Sequence, residues 1–187
     1  MYEDKDLVER TLNGDTEAFE LLIRKYENPM FNYIGRMVRE RELALELTQE
    51  VFLKSYAALH SYQPKYKFNT WLYKIASNLV IDYWRKKRIP ALSLDQQKIE
   101  GSQKVFFQIS SKEPSIIKKY ELAELKERVE KILEKIPDSL RELFVWRHIN
   151  ELSYEEIAEI KNMPVGTVKN RVFQAKEMIL QLLEEKP

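Results

Sequence analysis

From Pro164 to Lys176 the chain reads PVGTVKNRVFQAK and contains no acid. The Asn170 and Gln174 amides and the Thr167 hydroxyl can donate to and accept from base edges. Lys169, Arg171 and Lys176 can meet phosphate oxygens. With Pro164, Gly166 and Phe173 they form a candidate surface for duplex DNA. An ordinary helical hairpin with a solvated polar face would account for part of the same pattern.

A second constellation lies between Tyr62 and Arg88. Tyr62, Tyr66, Phe68 and Trp71 are interleaved with Lys65, Lys67 and Asn69, and followed by Asn78, Asp82, Arg85 and Lys86. Between positions 65 and 88 the cations Lys65, Lys67, Lys74, Arg85, Lys86, Lys87 and Arg88 stand against Asp82 alone. Rings that stack on bases, beside cations that track phosphates, suit unstacked single-stranded nucleic acid. The competing account places the rings in the core and makes the Arg/Lys run a helix end favoured by the dipole.

Nothing comparable points to catalysis. His60 and His148 are the only histidines, cysteine is absent, and no HExxH spacing, Walker A or GxGxxG loop occurs. No catalytic residue, metal ligand or cofactor site is expected.

The duplex surface needs two helices and a tight turn. Ser153 with Glu156 is a capping box, and Tyr154, Ile157, Ala158 and Ile160 form an apolar stripe. Asn162 fits a left-handed stop, and Pro164 can open the next helix. There Val168, Val172, Ala175 and Ile179 share the inward side, continued by Met178, Leu182 and Leu183. This is the helix-turn-helix plan. Upstream, a helix is expected over 116–136 with Leu122, Leu125, Val129, Ile132 and Leu133 inward. Ser139 with Glu142 suggests another capping box, before Leu143 and Phe144.

The aromatic-basic stretch needs its own support. A short helix over 5–12 is expected to bury Leu7, Val8 and Leu12. Asp15 then caps a helix through Phe19, Leu22, Ile23 and Tyr26, and Asn28-Pro29 can kink or restart it ahead of Met30, Ile34, Met37 and Val38. Residues 40–60 read as a helix with Leu43, Leu47, Val51 and Ala58 on one face, widened by Phe52, Tyr56 and Leu59. A loop covers 60–70, and a helix starts at Trp71 with Leu72, Ile75, Ala76, Leu79 and Tyr83 inward.

The 187 residues, 44% hydrophobic and 33% charged with only 4 Gly and 7 Pro, suit an all-α protein of two small helical domains joined by a flexible linker. The boundaries read as 1–89, a linker over 90–115 carrying Val105-Phe106-Phe107, and a four-helix domain with the helix-turn-helix over 116–187. There is no 18-residue apolar run and no secretory leader at the N-terminus, which fits a cytoplasmic protein without direct membrane insertion. The net charge of +1 is uninformative beside its uneven distribution.

The segments ELTQEVFLKSYAALHSYQPKYKFNTWLYKIASNLVIDYWRKKR and IPDSLRELFVWRHINELSYEEIAEIKNMPVGTVKNRVFQAKEMI resemble regions 2 and 4 of the extracytoplasmic-function sigma factors, in the sigma-70 superfamily. The resemblance implies an alternative sigma factor that recruits bacterial core RNA polymerase to stress-type promoters. In the family, the helix matching Glu46, Gln49 and Glu50 binds the clamp coiled coil of the largest polymerase subunit. Tyr62 to Arg88 match the reader of the minus-ten single strand, where an extruded base enters a loop pocket beside the position of Asn78. The second helix of the helix-turn-helix matches the reader of the minus-thirty-five duplex, and the linker matches a segment that runs towards the RNA exit path. An anti-sigma factor, often membrane-anchored, is the family's habitual partner.

Departures from the pattern accompany it. Lys74-Ile75 stands where housekeeping sigma factors carry a strand-opening tryptophan pair. Leu45 replaces a common acid, and Asn162 replaces a frequent turn glycine. Phe173-Gln174 and Glu177-Met178 stand where many members are more basic. The alternatives are a dimeric helix-turn-helix regulator that binds duplex alone, and a helical scaffold that binds no DNA.

Overall fold

The computed structural model describes residues 3–88 and 127–184. They fall into two compact helical units. The predicted linker, Val105-Phe106-Phe107, and the start of the 116–136 helix with Leu122 and Leu125 lie outside the described residues.

In the first unit, α1 (Asp4–Leu12) packs on α2 (Thr16–Val38), which packs on α3 (Arg41–Ala57) and α4 (Phe68–Arg88). Asp15 caps α2, its carboxylate accepting from the Ala18 amide at 3.2 Å. Such a cap is worth about 1 kcal/mol. Of the restart or kink expected at Asn28-Pro29, the restart does not occur: α2 runs through Pro29. An interior proline costs about 3 kcal/mol. Fully burying a large apolar side chain gains about 1.5–3 kcal/mol, and Met30, Tyr33, Ile34 and Met37 are all buried just beyond it. Packing therefore outweighs the proline. Arg39, left-handed at φ 64°, ends the helix.

Four expectations shift in this unit. Leu12 is 54% exposed; Thr11 is buried instead, its hydroxyl donating to the Leu7 carbonyl. The 40–60 helix ends at Ala57 and is followed by a 3-10 turn, Leu59–Ser61. Tyr56 is half exposed, although its ring meets Phe19 edge-on at 4.9 Å. Helix α4 begins at Phe68 rather than Trp71, because Phe68 is a core residue and its burial extends the helix backwards.

In the second unit, α5 covers 127–135 among the described residues, followed by α6 (Asp138–His148), α7 (Tyr154–Lys161) and α8 (Val165–Glu184). Ile132, Leu133, Trp146, Ile157, Val168, Val172 and Ile179 form the core. The expected Ser139–Glu142 capping box is absent: α6 is already helical at Asp138, without a side-chain cap. Glu142 is buried and instead pairs with Lys161 of α7. Arg141 is buried too, donating to the Leu133 and Ile136 carbonyls and to Asp138. A pattern cannot distinguish a glutamate that caps from one that turns inward to a cation.

Candidate nucleic-acid interface

The segment joining the 3-10 turn to α4 is built on rings. Tyr62 lies 5.7 Å from Phe68 and 5.6 Å from Trp71, and Phe68 lies 5.6 Å from both Trp71 and Tyr26. Phe68 is only 1% exposed. It is the floor of the cluster and presents no face for stacking as placed. Tyr66 is exposed and Trp71 half-buried. The Lys65 ammonium sits 4.7 Å from the Tyr66 ring centre. The Tyr62 hydroxyl donates to the Tyr66 carbonyl at 2.7 Å, which closes the segment on itself. Asn69 turns its carboxamide oxygen to the Thr70 amide, 2.7 Å away, at the start of α4.

A pocket of about 380 Å³ opens here, lined by Tyr26, Tyr62, Lys65, Tyr66, Lys67, Phe68 and Asn69, and also by Glu3, Asp4 and Lys5 of the N-terminus. Asp4 accepts a hydrogen bond from the Tyr26 hydroxyl and pairs with Lys25. Burial, reinforced by the Asp4 carboxylate, pushes the Tyr26 phenol far above its usual range, so it remains a donor. Burial raises Tyr62 as well. Sequence reasoning missed Asp4, since no linear pattern places residue 4 beside residue 66.

Further along α4, Asn78, Arg85 and Lys86 are exposed. Arg85 pairs with the half-buried Asp82 at 2.9 Å. On α3, Glu46 and Gln49 are exposed, and Glu50 pairs with Lys54 at 3.2 Å. Leu53 is 72% and Leu45 43% exposed on the same helix. Leu45, Gln49 and Leu53 are spaced four apart, so they share a face. Leu53 falls outside the apolar face expected for this helix.

In the second unit the two-helix element forms as expected. Ser153 Oγ accepts from the Glu156 amide at 3.1 Å, and Glu156 Oε2 accepts from the Ser153 amide at 2.7 Å. Asn162 is left-handed at φ 50°. Pro164 stands just before α8, its carbonyl accepting from Thr167 and Val168. Val168, Val172, Ala175 and Ile179 are buried. That leaves Pro164, Gly166, Lys169, Asn170, Arg171, Phe173 and Gln174 exposed, with Thr167 half-buried. A β-carbon at Gly166 would meet nothing within 4 Å. Internal packing therefore does not require the glycine.

Residues 22–89 match the family model for sigma-70 region 2, and residues 126–179 match that for sigma-70 region 4. The chain belongs to the extracytoplasmic-function sigma factors of the sigma-70 family. It is an alternative RNA polymerase sigma factor. Among similar proteins, the RNA polymerase sigma-H factor of Pseudomonas aeruginosa is 34% identical, over 97% of this sigma factor and 94% of that protein. The ECF RNA polymerase sigma-E factor of Escherichia coli K12 is 36% identical, over 94% and 92%. The solved structure of CnrH in complex with the cytosolic domain of CnrY matches 98% of this sigma factor and 99% of that chain, with a TM-score of 0.70 at 20% identity. The sigma factor RpoE of Bartonella quintana, solved with the anti-sigma factor NepR, matches 90% and 98% with a TM-score of 0.65 at 18% identity. These two structures share the all-helical fold.

The dimeric-regulator alternative is not favoured, since the sigma-70 match extends over the first unit as well as the helix-turn-helix unit. Among the described residues no helix is long and apolar enough to cross a membrane.

Proposed function

We propose that this sigma factor reads its promoter through two separate surfaces, one in each unit. Residues 1–89 serve as the core-polymerase and minus-ten unit, 90–115 as linker and 116–187 as the minus-thirty-five unit. The observation that carries this division is chemical contrast. The first unit offers a ring-lined pocket beside lysines, suited to an unstacked base. The second offers a flat polar helix face suited to a major groove.

On this reading Tyr66 and Trp71 stack on minus-ten bases, and an extruded base occupies the pocket. Tyr62, Lys65, Lys67, Asn69, Asn78, Asp82, Arg85 and Lys86 surround the strand, while Phe68 supports it from the core. Base extrusion costs a few kcal/mol and exposes edges that the duplex hides. On α8, Asn170 and Gln174 read base edges, Phe173 meets apolar groups such as thymine methyls, and Lys169 and Arg171 meet phosphates. Thr167, Gly166 and Pro164 line the approach. Glu46, Gln49 and Glu50, with the adjacent Leu45 and Leu53, dock on core polymerase.

The sigma factor performs no catalysis itself, uses no cofactor and acts in the cytoplasm, where core polymerase works. An anti-sigma factor restrains it. The likeness to sigma factors solved with protein partners supports that role. Mixing the purified protein with bacterial core polymerase and separating the products by size tests the docking surface: one co-eluting holoenzyme is expected, and separate elution contradicts it. The restraint is tested by affinity capture of the tagged chain from its native cells, with recovery of a regulator bound to both units expected and none contradicting it.

A further inference from the structure

Tyr154 opens α7 directly after Ser153, so the capping box fixes where its ring stands. Two cations from other helices converge on that ring. The Arg147 guanidinium of α6 lies 4.9 Å from its centre, and the Lys169 ammonium of α8 lies 5.6 Å from it. Arg147 is further held by donating from Nη1 to the Leu152 carbonyl at 3.2 Å. Among the described residues neither cation pairs with a carboxylate. Two like charges near one ring repel each other. The negative face of the ring attracts each of them, and no acid neutralises either. The pair is left with unspent affinity for an anion.

We propose that Tyr154 is a positioning residue for duplex binding. Its ring gathers Lys169 and Arg147 into one station for a DNA backbone phosphate. Lys169 precedes Asn170, so fixing the lysine on a phosphate also sets the register of the base-reading amide. The capping box thereby acts on DNA recognition through the ring, although neither Ser153 nor Glu156 need touch DNA. This inference rests on the reading of α8 as the duplex-binding helix.

The test uses the full chain and a labelled short duplex of mixed sequence, because phosphate contacts are independent of sequence. Affinity is measured across a salt series for wild type, Lys169→Ala, Tyr154→Leu, Tyr154→Phe and the Tyr154→Leu/Lys169→Ala double variant. Losing one phosphate contact lowers the slope of log affinity against log salt by about 1. Lys169→Ala and Tyr154→Leu should each show that loss. Tyr154→Phe should keep the wild-type slope, and the double variant should fall no further than either single. An unchanged slope in Lys169→Ala would overturn the α8 reading and the proposal with it. A normal Lys169→Ala loss beside an unchanged Tyr154→Leu would overturn the positioning role alone, as would additive losses in the double variant. Proton NMR separates positioning from misfolding. The Lys169 ε-methylene protons should be shifted upfield by the ring in wild type and Tyr154→Phe, and an unshifted signal in both would contradict the proposal.

Discussion

The Asp4 carboxylate accepts a hydrogen bond from the Tyr26 hydroxyl, tying the first turn of α1 to the middle of α2. The tie lies at the pocket that the 62–69 segment lines. One wall of the proposed base pocket thus comes from the start of the chain.

The tie makes a pH-dependent prediction. Burial and Asp4 raise the Tyr26 pKa above its ordinary value of 10.0. A group raised in the folded state contributes stability that is fully present below its unfolded pKa and is lost as pH climbs towards the folded value. Wild type should therefore exceed Tyr26→Phe by about 1 kcal/mol at neutral pH, the worth of one hydrogen bond. The gap should narrow above about pH 10. Urea melts of both proteins at the two pH values check this, and a gap that widens at high pH would contradict the tie. Tyr73, also raised by burial, is common to both proteins and cancels in the difference.

Phe68 and Tyr66 should separate fold from binding. Phe68→Ala removes a ring that is 1% exposed and should cost about 3–5 kcal/mol of stability. Tyr66→Ala should leave the melt nearly unchanged and weaken binding to a single-stranded minus-ten oligonucleotide by about 1–3 kcal/mol. Thermal melts and fluorescence titrations of both variants provide the check. A Tyr66→Ala protein that binds the oligonucleotide normally would remove that ring from the site.

The Glu142–Lys161 pair joins α6 to α7 with Glu142 only 1% exposed. Lys161→Met removes the cation paired with a buried carboxylate and should cost about 3–5 kcal/mol. Adding Glu142→Leu should recover much of the loss, because the buried charge is then gone too. Denaturant melts of the single and double variants measure the recovery, and an additive loss would show that the pair matters through something other than its charges.

The periodic parts were legible in the sequence, and so was the cap-turn signal of Ser153, Glu156 and Asn162, because each depends on residues within one or two turns. What escaped depends on tertiary choices. Glu142 had a local partner in Ser139 and a distant one in Lys161, and burial selected the distant one. Pro29 signals a break locally, yet the buried run from Met30 to Met37 carries the helix through it. In the candidate site, the cations and amides of α8 were readable as a face. The contribution of Asp4 was not, since it rests on α1 packing against α2.

On α8, Asn170→Ala and Gln174→Ala should each cost about 1–3 kcal/mol of discrimination between the cognate minus-thirty-five element and a scrambled one. Competition binding by the reconstituted holoenzyme measures the ratio. Unaltered discrimination in both variants would move base reading to another face.

Leu53→Asp should leave stability nearly unchanged, since the side chain is 72% exposed. It should weaken assembly with core polymerase if the α3 face is the docking surface. Wild-type assembly would move docking elsewhere.

The most direct test of a two-surface promoter reader is run-off transcription by bacterial core polymerase on a genomic promoter library, with and without this chain. The account predicts new, discrete start sites whose upstream regions share two separated motifs. It also predicts that α8 variants alter use of the upstream motif, while Tyr66 and Trp71 variants alter use of the downstream one. No new start sites, or start sites sharing a single motif, would contradict it.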